Sequence, residues 1–284
     1  MSNTPEKGRY SNVLNKLTDH LLITVEQADN AARNVTTLQG TQIQVKLGQN
    51  IDAALTAQFL SNLMGRMPCS HPKHDRWINA LNKCVSIIQR SQNTDGSVQG
   101  DGWAGVLQSS FAASALESAK FQGAQVNDSA LRKAQDFQKA NFDVSSGSAV
   151  TERAAGITLY AVSGSTRNSA REAREVKDVM EKAKKDGKVA EAAPVSVDAL
   201  EDAGYTRTDA ERLNTAYQVY NSAKVQAQAD NVVSGFGNNG GEEFLSFLQT
   251  GESLIINKDN SWKNWYGATS ARLVEIQNND GSWS

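Results

Sequence analysis

The sequence predicts an all-α protein, and three observations carry that prediction. Only four prolines interrupt 284 residues, so little in the chain forbids helix. Apolar residues recur at three- and four-residue spacing in most segments, the period of one helix face. The breaks between those segments hold Gly, Asn, Asp and Ser, which favour turns and caps.

Taken in order, Tyr10 to about Val35 carries Val13, Leu14, Leu17, Leu21, Leu22 and Val25 at helical spacing and reads as an amphipathic helix. Residues 36–50 alternate Ile43, Val45 and Leu47, the pattern of a short strand or a loop. Helix follows over Ile51 to Met67, with Ile51, Leu55, Phe59 and Leu63 four residues apart, and again over Asp75 to Gln92, with Asp75 as its N-cap. After the Gly-rich loop NTDGSVQGDGWAG, two further helices are joined by Gly123 to Asn127, the second capped by Asp128. Val150 to Val162 reads as another helix.

The chain then changes character. Residues 167–188 are nearly all charged or Ala, with opposite charges four apart at Arg171/Glu175, Arg174/Asp178, Lys177/Glu181 and Glu181/Lys185. Such pairs support a solvated helix by about 0.2–0.5 kcal/mol each. This segment is expected to project into solvent, either as a bare helix or as an arm that docks a protein partner. A short helix stopped by Gly204 and a longer one opened by Thr208 or Asp209 complete a stretch, 165–229, read as a helical insertion in a single domain of 1–284. The repetitive body resumes after it.

Bulk properties narrow the function classes. A net charge of −2 gives no electrostatic reason to expect nucleic acid or an anionic membrane as partner. No apolar run approaches the roughly 20 residues of a membrane span, the N-terminus lacks a signal-peptide pattern, and two cysteines make no disulfide framework. A cytoplasmic protein is the expectation.

The strongest signal is an internal echo. QNTDGSV (Gln92 to Val98) returns as QNNDGSW (Gln277 to Trp283) at an offset of 185 residues, with Ile88 and Leu273 four residues before each Gln. A third, worn copy begins at Lys133 to Phe137 and runs to NFDVSSG. Gly-rich turns recurring between helix pairs suggest stacked or circularly arranged hairpins.

GATSARLVEIQNNDGSW resembles the QW repeat of squalene–hopene cyclases and the wider terpenoid-cyclase and protein-prenyltransferase superfamily. Gly267, Leu273, Gln277, Gly281 and Trp283 fill the motif; Ile88, Gln92 and Gly96 fill the first copy, with Val98 where Trp belongs. The resemblance implies an α/α toroid of antiparallel helix hairpins, covering about Ile51 to Val162 and Asn231 to Trp283. It also implies a structural role for Gln92, Gly96, Gln277, Gly281 and Trp283, in which the Gln caps a helix end and the Trp stacks over it.

The chemistry of that superfamily is not carried by its usual motifs. No two Asp residues are adjacent, so neither the Asp-rich acid motif nor the magnesium-diphosphate box is present, and there is no zinc set of the prenyltransferase kind. Other candidates remain. Cys69, His71, His74 and Asp75 lie within seven residues, ligand types that zinc prefers, although no second group completes a recognised spacing. Gly235 to Gly240 matches Gly-x-Gly-x-x-Gly but lacks the strand–helix context that gives the fingerprint meaning. Glu242 and Glu243 follow it, suited either to acid–base work or to complementing a helix dipole. Trp103, Phe236, Trp262, Trp265 and Tyr266, near Asp95, Asp101 and Glu242 in the repeat alignment, form a Gly-and-aromatic end that would take an apolar or sugar-like ligand. The leading expectation is a divergent, non-catalytic toroid that binds a ligand or partner there. The alternative is a terpenoid-cyclase or prenyltransferase-like enzyme acting on an isoprenoid, with Asp95, Asp101, Glu242 or Glu243 as its acid. A scaffold docking a protein through 165–229 is the third.

Overall fold

The computed structural model describes residues 4–98, 100, 102–233 and 241–283. Among these residues it contains twelve α-helices, one three-residue 3-10 turn and one pair of two-residue strands, which establishes the all-α class. Among them, no helix is long and apolar enough to cross a membrane. The contacts divide the chain into two compact units, Met1–Phe137 and Gln138–Ser284.

The first unit holds α1 (Ser11–Gln27), α2 (Gln42–Leu47), α3 (Ile51–Met64), α4 (His74–Arg90), α5 (Gly105–Phe121) and most of α6 (Asp128–Lys139). Helix α3 packs on both α4 and α5. Trp77, Leu81, Cys84, Val85 and Ile88 give α4 one buried stripe, and burying a large apolar side chain contributes about 1.5–3 kcal/mol. Helix α5 buries nearly its whole circumference between Val106 and Ala119.

Three local expectations need correction here. The segment expected as strand or loop contains helix α2. Thr41 and Gln44 form a capping box, with Gln44 N donating to Thr41 Oγ1 at 3.3 Å and Thr41 N to Gln44 Oε1 at 3.1 Å. Ile43 and Val45 are exposed while Gln44 and Leu47 are buried, so the alternation that suggested a strand did not mark a core face. The N-cap of α4 is Lys73, and Asp75 sits in the first turn, where its charge still complements the helix dipole. Asn127 caps α6 by accepting from Ala130 N at 3.1 Å, which leaves Asp128 inside the helix and paired with Lys120 at 2.5 Å.

The second unit begins with β1 (Phe142–Asp143) paired antiparallel to β2 (Ser148–Ala149). It continues through α7 (Thr158–Lys185), α8 (Val197–Asp202), α9 (Arg207–Ala227), α10 (Asp230–Val233), α11 (Glu242–Ile256) and α12 (Trp262–Glu275). The predicted helix over Val150 to Val162 resolves into the end of this hairpin, a 3-10 turn at Glu152–Ala154 and the first turns of α7.

Helix α7 is the centre of the second unit, packed by both α9 and α11. It runs through Ser165 without a break. The projecting helix expected over 167–188 is therefore its continuation, and only the last turns are solvated, whereas Ser163 to Ala170 are all buried. Polar residues are tolerated inside because several bond the preceding turn of their own helix. Thr166 Oγ1 donates to Val162 O at 2.6 Å and Asn168 Nδ2 to Gly164 O at 2.9 Å. Against this face α9 sets Leu213, Ala216, Tyr220, Ala223 and Ala227 at alternating three- and four-residue steps. Its N-cap is Thr206, two residues before the expected start. Two of the expected i,i+4 pairs form, Arg174–Asp178 and Glu181–Lys185, each at 2.6 Å. Lys177 instead donates to Oδ1 of Asn257, the C-cap of α11.

Candidate functional site

The two copies of the echo fold alike, bond for bond. In the first, Asn93 N donates to Ser97 O at 2.8 Å and Gly96 N to Asn93 O at 3.1 Å; in the second, Asn278 N donates to Ser282 O and Gly281 N to Asn278 O, both at 2.9 Å. Gln92 Nε2 reaches Gly96 O at 3.3 Å, as Gln277 Nε2 reaches Gly281 O at 2.8 Å. Gly96 and Gly281 take φ of +91° and +85°, a region that only Gly enters without strain. Each Asp closes the turn: Asp95 Oδ1 accepts from Ser97 N and Oγ at 3.0 and 2.6 Å, and Asp280 Oδ1 from Ser282 N and Oγ at 2.9 and 2.7 Å. Trp283 Nε1 donates to Leu273 O at 2.8 Å, and its ring meets Phe244 edge-on at 6.3 Å. Asp95, named as a catalytic candidate, is thus a turn-closing carboxylate. Asp101 lies outside the described residues.

The same Asp-x-Ser turn occurs at two further places. Asp143 accepts from Ser145 N and Oγ within the worn third copy, at 2.9 and 2.7 Å. Asp259 accepts from Ser261 N and Oγ, at 3.0 and 2.8 Å, just before α12. The second oxygen of Asp259 accepts from Tyr220 Oη at 3.0 Å and from Lys224 Nζ at 2.5 Å. Burial works against the charge of this carboxylate, yet Lys224 and Ser261 hold its pKa well below the ordinary carboxylate range. The phrase DNSW at Asp259 to Trp262, so close to DGSW at Asp280 to Trp283, was the available signal for this site.

Glu242 and Glu243 open α11 and are buried, 3% and 1% exposed. Gly241 N donates to Glu243 Oε2 at 3.1 Å. Glu243 lines a groove of about 450 Å³ with Ile157, Leu159, Gln226 and Val232. Tyr160, which the sequence did not single out, sits in the same neighbourhood: burial raises its pKa, and the charges of Glu243 and Glu242 raise it further.

Trp103 belongs to the first unit and is 43% exposed, and Phe236 lies outside the described residues. Trp262, Trp265 and Tyr266 all stand on α12. Trp262 stacks on Trp265 at 5.6 Å and lies 5.4 Å from Tyr266. Gly251 of α11 makes room for this cluster, because a Cβ there would come within 2.7 Å of the Trp265 ring. Trp265 lines a second groove, of about 490 Å³, with Val233, Phe247, Ala268 and Leu273 as apolar walls and Arg272 at the side.

Among the described residues no group of three His, Cys, Asp or Glu side chains is placed to hold a metal ion. His71 Nδ1 accepts from Lys73 N at 3.0 Å, its Nε2 lies 3.0 Å from Glu6, and its ring stacks on Trp77 at 4.3 Å. Cys69 is exposed, whereas Cys84 is buried and its thiol is pushed up to about 12.

Compared with known protein families, characterised proteins and solved structures, the chain matches none.

Proposed function

We propose that this protein is a non-catalytic relative of the terpenoid-cyclase-type α/α toroids that holds an apolar ligand in the groove between α10, α11 and α12. The toroid reading is supported by helix pairs closed by like turns, and by the way α3 packs on α5 and α7 on α11, each two helices apart or more in the chain. The observation that carries the ligand reading is the groove itself. Trp265, Phe247 and Leu273 give it an apolar wall, and Asp230, Asn264 and Arg272 supply polar groups that could orient a headgroup.

Titration with farnesol, read by tryptophan emission and confirmed by native mass spectrometry, is expected to saturate. Trp265→Ala is expected to weaken binding about tenfold, the loss of one aromatic wall worth about 1.4 kcal/mol. Absence of saturable binding, or binding that Trp265→Ala leaves unchanged, would sink the proposal.

A second reading, a cyclase or prenyltransferase-like enzyme, is favoured by one observation, the placement of buried Glu243 beside Ile157, Leu159 and Val232. The same position also serves a plainer role, in which Glu243 accepts from Gly241 N at the N-terminus of α11 and complements the helix dipole. Conversion of squalene or farnesyl diphosphate, lost in Glu243→Gln, would reverse this order of preference.

A further inference from the structure

The packing of α7 against α9 and α11 brings two lysines to one buried tyrosine. Tyr220 of α9 is fully buried, and the ammonium groups of Lys177 on α7 and Lys224 on α9 stand 5.7 and 5.1 Å from its ring centroid. The two lysines differ in their partners. Lys224 Nζ donates to Asp259 Oδ2 at 2.5 Å, and that carboxylate already carries Tyr220 Oη on the same oxygen and Ser261 N and Oγ on the other. Lys177 Nζ donates to Asn257 Oδ1, a neutral acceptor. Its neighbours on α7 are engaged elsewhere, Glu181 with Lys185 and Asp178 with Arg174, each at 2.6 Å.

Asn257 is fixed in the orientation this contact needs. It is completely buried, and its Nδ2 donates to Ala170 O at 3.1 Å, which turns its oxygen to Lys177. An amide oxygen accepts from an ammonium or from a neutral amine, whereas a carboxylate partner would hold the proton on. Burial lowers the Lys177 pKa from the ordinary lysine range, and the charges of Lys224 and Arg174 lower it further against the opposing pull of Asp259 and Asp178. Tyr220, kept protonated by burial and by Asp259, adds no charge. Lys177 is half-buried rather than enclosed. A lysine partly out of water and beside a second cation is activated as a nucleophile.

We propose that Lys177 is a modification site at which a small aldehyde forms an imine. The amine lone pair attacks the carbonyl carbon while an N–H stays on Asn257. The carbonyl oxygen departs as water with both amine hydrogens, so that C=N replaces C=O, and protonation of the imine restores an N–H for Asn257. This site shares no residue with the ligand groove and does not depend on it.

The test treats the full chain with limiting acetaldehyde and sodium cyanoborohydride, whose hydride traps the imine as N-ethyl-lysine, and maps the label by peptide mass spectrometry. At neutral pH Lys177 is expected to label several-fold faster than the exposed Lys182 and Lys188. That lead should shrink as the pH is raised, because the exposed lysines then lose their protons too, and it should vanish in denaturing urea. Lys224→Gln removes the neighbouring cation and frees Asp259 to pair with Lys177, so it is expected to slow Lys177 while leaving Lys182 and Lys188 as they were. Labelling of Lys177 no faster than Lys182 and Lys188 in the folded parent would overturn the proposal. So would a lead that persists in urea, or one that folded Lys224→Gln leaves unchanged.

Discussion

Gly96→Ala is expected to destabilise the protein by about 3–4 kcal/mol, and Gly281→Ala by only about 1 kcal/mol. Both glycines have positive φ, so both alanines would incur the left-handed backbone cost of about 1–2 kcal/mol. Only at Gly96 does the added methyl also meet backbone, the Lys133 carbonyl, which is part of a helix and cannot swing aside as a side chain would. Forcing an atom into such a contact adds about 1–3 kcal/mol. Urea denaturation of the two variants measures the difference directly. Equal losses would mean that the close approach of the Lys133 carbonyl adds nothing to the cost at Gly96.

Asp259→Ala is expected to cost about 3 kcal/mol, the range for breaking a buried ion pair from one side. The Asp259 side chain is 8% exposed and that of Lys224 19%, and the Tyr220 hydroxyl bonds to the same oxygen as Lys224. Removing the carboxylate would leave a half-buried ammonium and a buried phenol facing each other. It would also open the turn at Ser261 that starts α12. The dependence on acid follows from the lowered pKa of Asp259 in the folded protein. Its contribution is fully present above the unfolded value of about 4 and fades as pH falls from there toward the lower folded value. The gap in stability between the parent protein and Asp259→Ala should therefore narrow as the pH is taken below that point. A gap that stays constant from neutral to acid pH would show that the carboxylate is not held as its charged form by Lys224.

Helix periodicity and turn chemistry made most of this fold legible in the sequence. The stripe from Trp77 to Ile88 and the Gly-punctuated turns could be placed without coordinates, because each depends on residues a few positions apart. The errors share one physical origin, in that composition was taken as exposure. Residues 167–188 look solvated, yet α7 buries its first half by letting Ser, Thr and Asn bond the helix that carries them. Ile43 and Val45 look like core residues, yet they stand in solvent on a one-and-a-half-turn helix fixed by Thr41 and Gln44. The candidate sites were legible in the same uneven way. Trp262, Trp265 and Tyr266 do meet, since helical spacing alone brings them together. Tyr160 beside Glu243, and Tyr220 with Lys224 on Asp259, join positions far apart in the chain that no local pattern connects.

The Asp–Gly pairs of the two turns also bear on how the molecule ages. An aspartate followed by glycine is prone to cyclise through the glycine nitrogen and reopen as isoaspartate, which inserts an extra backbone atom. In both turns that nitrogen is committed, Gly96 N to Asn93 O and Gly281 N to Asn278 O, and the aspartate oxygens are tied to serine. The fold thus shields these two labile bonds for as long as the turns stay closed. Of the two turns, the one at Asp280 and Gly281, exposed and with no helix over it among the described residues, should start that chemical clock sooner, and isoaspartate accumulating there ahead of Asp95 would record how often the second turn opens.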